Sequence, residues 1–135
     1  MNEPFVYVAE YQIQSGKLEE ARRRLREVAD LVEQREPQLG AFHFFLDEGR
    51  QRAICVQVHA DPGSMATHMA VIAEHLATAW DWLEPDGTEP IVLGTPPDVL
   101  VHYAQEFNQR FDSYPTHIAG FTRLRAGSRV SQAHD

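Results

Sequence analysis

The sequence predicts an α+β protein, one β-sheet with helices on one face. Over residues 5–76 the hydrophobic periodicity changes in the order strand, helix, strand, strand, helix. Each change falls at a breaker: Ser15-Gly16, Pro37, the polar segment Asp47-Glu48-Gly49-Arg50-Gln51, and Asp61-Pro62-Gly63.

The elements follow in order. Phe5 to Ile13 (FVYVAEYQI) is rich in β-branched and aromatic residues and reads as a strand. Ser15 is placed to cap the first helix, and Gly16 to turn the chain away from the strand. Leu18, Ala21, Leu25, Val28 and Leu31 or Val32 recur at three- and four-residue steps as one apolar stripe. Glu19 with Arg23 and Glu20 with Arg24 put acid before base on the outer face, and Pro37 ends the helix. Phe42–Leu46 and Ala53–His59 form a hairpin. Asp61 caps the second helix and Pro62 suits its first position. Its stripe is Met65, Met69, Ile72, Leu76, Trp80 and Leu83. Glu84–Gly87 is a turn, Pro90–Gly94 a short strand, and Pro96-Pro97-Asp98 opens a helix with Val99, Leu100, Tyr103 and Phe107 on one face. His117 to Leu124 is expected as a last strand, with Gly120 at a bulge or edge. Residues 1–95 are therefore expected to form the main unit, 96–125 an extension of it, and 126–135 a flexible tail.

A chain of 135 residues fits one domain. The net charge of −8 argues against nucleic acid or an anionic membrane as a partner, since both favour basic patches. Arg22-Arg23-Arg24 is interleaved with Glu19, Glu20 and Glu27 and reads as a solvated helix face. The lone cysteine, Cys55, excludes an internal disulfide and fits the cytoplasm. No signal peptide is recognisable, and no apolar run reaches the roughly 18 residues of a membrane span.

Several segments resemble the antibiotic biosynthesis monooxygenase family. They are Ser15-Gly16-Lys17-Leu18-Glu19-Glu20, the Glu36-Pro37…Gly40 break before Phe42, Val56-Gln57-Val58-His59 leading into Asp61, and the second helix with His68 and His75. The resemblance covers roughly residues 5–95 and implies a ferredoxin-like βαββαβ protomer pairing into a dimeric α+β barrel. It also implies cofactor-independent oxygen chemistry on quinols and polycyclic aromatics. A homodimer follows independently, because a sheet with helices on one face leaves an apolar face that needs a partner. The chain departs from the family at two places. Haem-degrading members carry an Asn on the first strand and a Trp on the second helix, where this chain has no Asn and has His68. Many members carry a Glu near the end of the third strand, where this chain has Gln57.

His68 borders the stripe of the second helix, and an imidazole titrates near neutrality, so it is a candidate proton carrier. His75 lies seven residues on, roughly 10 Å along a helix, too far to share a metal ion with His68. A metal site would require His59 or His43 to converge by folding, and none is expected. Cys55, Gln57 and His59 alternate with Ile54, Val56 and Val58. The aliphatic set is expected under the helices, which leaves Cys55, Gln57 and His59 facing the barrel interior. On the first strand, either Glu10 or the Tyr7/Tyr11 pair meets Gln57 across the cavity. These polar groups equally suit a satisfied buried network. Cys55 reads as an inert small hydrophobe, and Phe42, Phe44, Phe45, Trp80 and Trp82 as core or interface.

Two functions fit. One is a cofactor-independent monooxygenase using His68 or His59 as base, with Gln57, Tyr7, Tyr11, Glu10 and His75 around an electron-rich aromatic or quinol. The other is a dimeric ligand-binding or interaction module without turnover. Isomerase chemistry on a small carbonyl compound would need the same imidazole.

Overall fold

The computed structural model of this protein describes residues 3–123. Its elements run β1 (Phe5–Ile13), α1 (Leu18–Arg35), β2 (Leu39–Asp47), β3 (Arg52–His59), α2 (Ser64–Val71), α3 (Ala73–Ala77), β4 (Leu83–Glu84), β5 (Ile91–Leu93), α4 (Asp98–Glu106) and β6 (Asp112–Tyr114). The sheet order is β2-β3-β1-β5-β6, with β4 paired to the far end of β1. The first four strands of that order are antiparallel, as in a ferredoxin-like βαββαβ unit, and β6 adds to the edge in parallel with β5. Parallel neighbours need a crossover, and α4 supplies it.

Helix α1 lies where its stripe predicts. Ala21, Leu25, Val28 and Val32 are buried, and Gly16 turns the chain with φ +81°. Its first turn differs from expectation, because Lys17 takes the cap position without a side-chain cap bond. Glu20 pairs with Arg24 at 3.3 Å, whereas Arg23 pairs with Glu27 and Arg22 with Glu19. Arg22 also reaches Glu48 in the β2–β3 turn. That turn is an Asx-type turn in which the Arg50 amide donates to Asp47 Oδ1 at 3.1 Å.

The second helix is shorter than its stripe suggests. It breaks at Ile72 (φ −95°, ψ 8°), where two β-branched residues follow each other, and resumes as α3 and a 3-10 turn at Ala79–Asp81. Gly63, not Asp61, holds its cap position. Gln14 stabilises the turn that follows by donating to the carbonyls of Trp80 at 2.7 Å and Leu83 at 2.9 Å. Trp82 and Leu83 are thereby buried, and Trp80 is left 55% exposed.

The expected strand over His117–Leu124 does not form in the described part, residues 117–123. The last strand lies earlier, at Asp112–Tyr114, because α4 returns the chain directly alongside β5 and Pro115 then removes a donor. The expected tail from Ala126 lies outside the described residues. No described helix is long and apolar enough to cross a membrane.

Three hydrophobic clusters fill the space between sheet and helices. Ile13, Ala21, Leu25, Ala53, Trp82 and Leu83 form one. Phe5, Met65, Val92 and Leu100 form the second, and Val28, Val32 and Leu39 the third. This packing reverses the expected facing of β3. Ala53 lies against α1, and Ala53, Cys55, Gln57 and His59 alternate as the buried set, so they lie under the helices. Ile54, Val56 and Val58 are the half-exposed set on the outer face. The physical reason is size: Ala9, Cys55 and Ala53 are small and let the helices approach, whereas the branched residues form a second, separate apolar surface.

Candidate functional site

The site is built where the C-terminal end of α1, the middle of α2 and the end of β3 meet. Glu36 follows the last turn of α1 and is buried, with its backbone N–H donating to Val32. It faces His68 on α2, whose Nδ1 lies 2.9 Å from Glu36 Oε2. Both side chains are wholly excluded from solvent. Phe42 lies against the His68 ring, with centroids 5.3 Å apart, and His59 lies edge-on to it at 6.0 Å.

Two atoms of this pair have no partner, His68 Nε2 and Glu36 Oε1. Buried polar atoms without partners are rare and costly. Toward a carboxylate His68 donates from Nδ1, and in the neutral ring Nε2 then carries the lone pair. An imidazole oriented by a carboxylate with its other nitrogen open is the arrangement of a general base.

The second histidine is engaged on both sides. His59 Nδ1 lies 2.7 Å from Ser64 Oγ, and its Nε2 lies 2.9 Å from Gln57 Oε1. Burial, with a contribution from His68 and against one from Asp61, lowers its pKa to about 4. Serine, histidine and an amide oxygen in a row have the order of a nucleophile triad, but so weak a base does not activate a hydroxyl. Gln57 Nε2 donates onward to Cys55 Sγ at 3.5 Å. Burial pushes the Cys55 thiol up to about 12, which makes it inert.

Tyr7 stands directly opposite Gln57 in the β1–β3 register, and Tyr11 opposite Ala53. Both phenols lie on the helix-covered face. Burial, reinforced by Cys55 and Tyr103, raises their pKa values above the ordinary range. Both residues nevertheless keep some accessible surface, as do Phe42, Phe44, Met69 and Ile72.

The fold therefore brings together His68, His59, Gln57 and Tyr7, with Tyr11 two residues along the same face. It does not bring Glu10, which lies on the outer face and is bonded to Arg52 at 3.3 Å. Alternation along β1 settles the choice in favour of the tyrosines. His75 sits half-buried on α3, beyond the break, and nothing in the hydrogen bonding or ring contacts joins it to His68. An open depression of about 280 Å³ near Glu10, Arg50 and Arg52 lies apart from the histidines, and its charges are already paired. Among the described residues, no group of three His, Cys, Asp or Glu side chains is arranged to hold a metal ion.

Sequence reading missed Glu36 and Ser64. Glu36 carried a signal: a carboxylate at a helix C-terminus opposes the macrodipole, which favours cations there. Such a residue has to be held by something else. Ser64 carried none.

No protein-family profile and no curated protein matches the chain. Solved structures do. MupZ from Pseudomonas fluorescens superposes with a TM-score of 0.66 at 15% identity, covering 88% of this chain and 96% of that one. A protein from Nitrosomonas europaea assigned to the antibiotic biosynthesis monooxygenases gives 0.55 at 19% identity, over 63% of this chain and 85% of its own. One from Caulobacter crescentus with the same assignment gives 0.58 at 14%, over 67% and 86%. This chain has the fold of the antibiotic biosynthesis monooxygenases. At such identities the likeness to these monooxygenases is one of fold. A match to 88% of the chain cannot fit within residues 1–95, so the likeness to MupZ extends into the segment added after β5.

Proposed function

We propose that this protein is a cofactor-independent monooxygenase acting on an electron-rich aromatic or quinol. The observation that carries this reading is His68 Nε2, buried, unpaired and backed by Glu36 through Nδ1. Beside the Phe42 ring, His68 takes a proton from an activated C–H or O–H of the substrate. Glu36 then faces the resulting imidazolium and stabilises it. For a benzylic CH2 beside an aromatic carbonyl, the carbanion transfers its electrons to molecular oxygen and forms a C–O bond. The resulting peroxide takes the proton back from His68. Loss of water, made from the remaining C–H hydrogen and the OOH group, leaves a carbonyl. Overall, CH2 and O2 become C=O and H2O.

We infer that the working form is a dimer joined through the outer sheet face. Val6, Val8, Ile54, Val56 and Val58 are half-buried there, and Phe45, Ile91 and Leu93 are 60%, 39% and 37% exposed. These residues form an apolar band, bordered by Glu10 and Arg52 at one end and by His43 opposite Val56, and an apolar band of this kind suits a partner.

Oxygen uptake with a panel of anthrones and quinols tests the reading. His68→Ala is expected to lower kcat roughly 100- to 10,000-fold, and Glu36→Gln by a smaller factor. Uptake by the parent that is unchanged in His68→Ala removes His68 as the base. The second reading, a binding module without turnover, is favoured by the complete burial of Glu36 and His68. It predicts saturable binding of the same aromatics with no oxygen consumed.

A further inference from the structure

The sequence pattern over residues 117–124 is that of a strand, yet residues 117–123 form neither strand nor helix in the single chain. Ile118 is 86% exposed and Phe121 79%, with the Arg123 guanidinium over the Phe121 ring at 4.6 Å. Gly120 interrupts the run at φ +137°, a conformation that glycine enters and leaves freely. Two large apolar side chains this open, three residues apart, call for a surface. The sheet offers an edge. Among the described residues β2 (Leu39–Asp47) pairs only with β3, so its other edge presents unpaired N–H and C=O groups. This edge is nine residues long and contains no proline or lysine to discourage another strand. Its one irregularity lies at the start, between Leu39 and Ala41. The opposite edge, β6, has only three residues.

We propose that residues 116–123 of one copy add as a strand to the free edge of β2 in a second copy, which returns the contact. The proposal rests on the dimer inferred above and names what completes it. Three observations point to a second copy as the partner. First, the arm leaves the sheet on the side of the apolar band: Tyr114 stands beside Leu93 in the β5–β6 register and is 62% exposed. Second, the band has eight residues, against the roughly 20–30 a side of a standard interface, so the band alone is too small. Third, residues 115–123 hold Arg123 and no carboxylate, whereas the whole chain carries −8. The arm's own β2 is a poor receptor. It lies four strand spacings from β6, roughly 19 Å, which would use up about six extended residues and leave too few to pair. A second sheet packs roughly 10 Å away, and a crossed packing can bring its β2 edge to the corner where the arm leaves. As a strand the arm puts Ile118 and Phe121 on opposite faces of the sheet, so each face gains one apolar side chain.

Three measurements on the full chain test this. The first is hydrogen exchange read by mass spectrometry across a dilution series, with sedimentation giving the dimer fraction. The amides of residues 116–123 are expected to gain roughly tenfold or more protection in step with that fraction. Unprotected arm amides in a sedimenting dimer overturn the proposal and leave the dimer standing. A parent that is monomeric throughout overturns both. The second measurement identifies the copy. Dimers are mixed from 14N and 15N chains with p-benzoylphenylalanine in place of Phe121, then irradiated. Cross-linked peptide pairs of mixed isotope, joining the arm to residues 39–47, are expected, and their absence overturns the proposal. In the third, Ala119→Pro and Phe121→Asp are expected to raise the dimer dissociation constant roughly tenfold or more. The far-ultraviolet spectrum of the monomer stays as in the parent, because the arm is exposed there. An unchanged dissociation constant in both variants overturns the proposal.

Discussion

At the scale of single residues, the interior is organised around polar groups that have been taken out of water. Glu36 and His68 satisfy each other once and leave one atom each open, so removal of either partner is not symmetrical. His68→Ala strands a carboxylate in an apolar site and is expected to cost about 3 kcal/mol. Glu36→Gln retains an acceptor for His68 and should cost clearly less, which urea midpoints at pH 7 would register. His59 adds a pH dependence. The folded state withholds a proton that the unfolded chain accepts, because the folded pKa is about 4 against an ordinary 6.5. The stability tied to this group is therefore complete above about pH 6.5, declines as pH falls, and is gone by about pH 4. Its size is at most about 3 kcal/mol. Urea midpoints at pH 7 and 4.5 should converge in His59→Gln relative to the parent. The sequence singles out His68 by its place at the border of a helix stripe and Gln57 by alternation along β3. For Glu36 the place at the end of α1 signals only that something must hold the carboxylate, and the partner that does so lies 32 residues away.

At the scale of elements, β1, α1, the hairpin and β5 follow from period and breakers alone. The failures have a common physical cause in tertiary contacts. The facing of β3 depended on which apolar surface the helices chose, and the small side chains Ala9, Ala53 and Cys55 decided it against the bulkier aliphatic set. The end of the second helix was decided by Gln14, a β1 neighbour whose amide stabilises the turn after α3. The junction of β5 and α4 is likewise held by backbone. Gly94 has φ +106°, donates to the Tyr114 carbonyl at 2.9 Å, and would place a Cβ 3.0 Å from the Pro4 carbonyl. Gly94→Ala combines a disfavoured conformation with a backbone clash and should cost about 1–3 kcal/mol. Chemical denaturation checks it, with Gly16→Ala as a comparison at positive φ and no neighbour within 4 Å.

At the scale of the whole molecule, one sheet separates two apolar surfaces with different tasks. The inner face carries the buried polar groups around His68, and the outer face carries an apolar band with His43 opposite Val56 and Glu10 opposite Ile54. A lysine at position 56 would put a charge in the middle of the outer face without touching His68 or Gln57. Val56→Lys is expected to turn a dimer into a monomer in sedimentation velocity while leaving the far-ultraviolet spectrum unchanged. A parent that sediments as a monomer removes the proposed interface. Overall charge and composition bounded this scale, but they are silent on which side of a sheet a helix will choose.

Cys55 gives the chain a clock. It is the sole thiol among 135 residues, sits 2% exposed beneath the helices, and is held protonated by its surroundings. A thiol reagent can reach it only during excursions in which the helices lift from β1 and β3. The labelling rate then measures the population of that open form. A molecule bound under the helices should slow labelling in proportion to its occupancy, whether or not it is ever turned over.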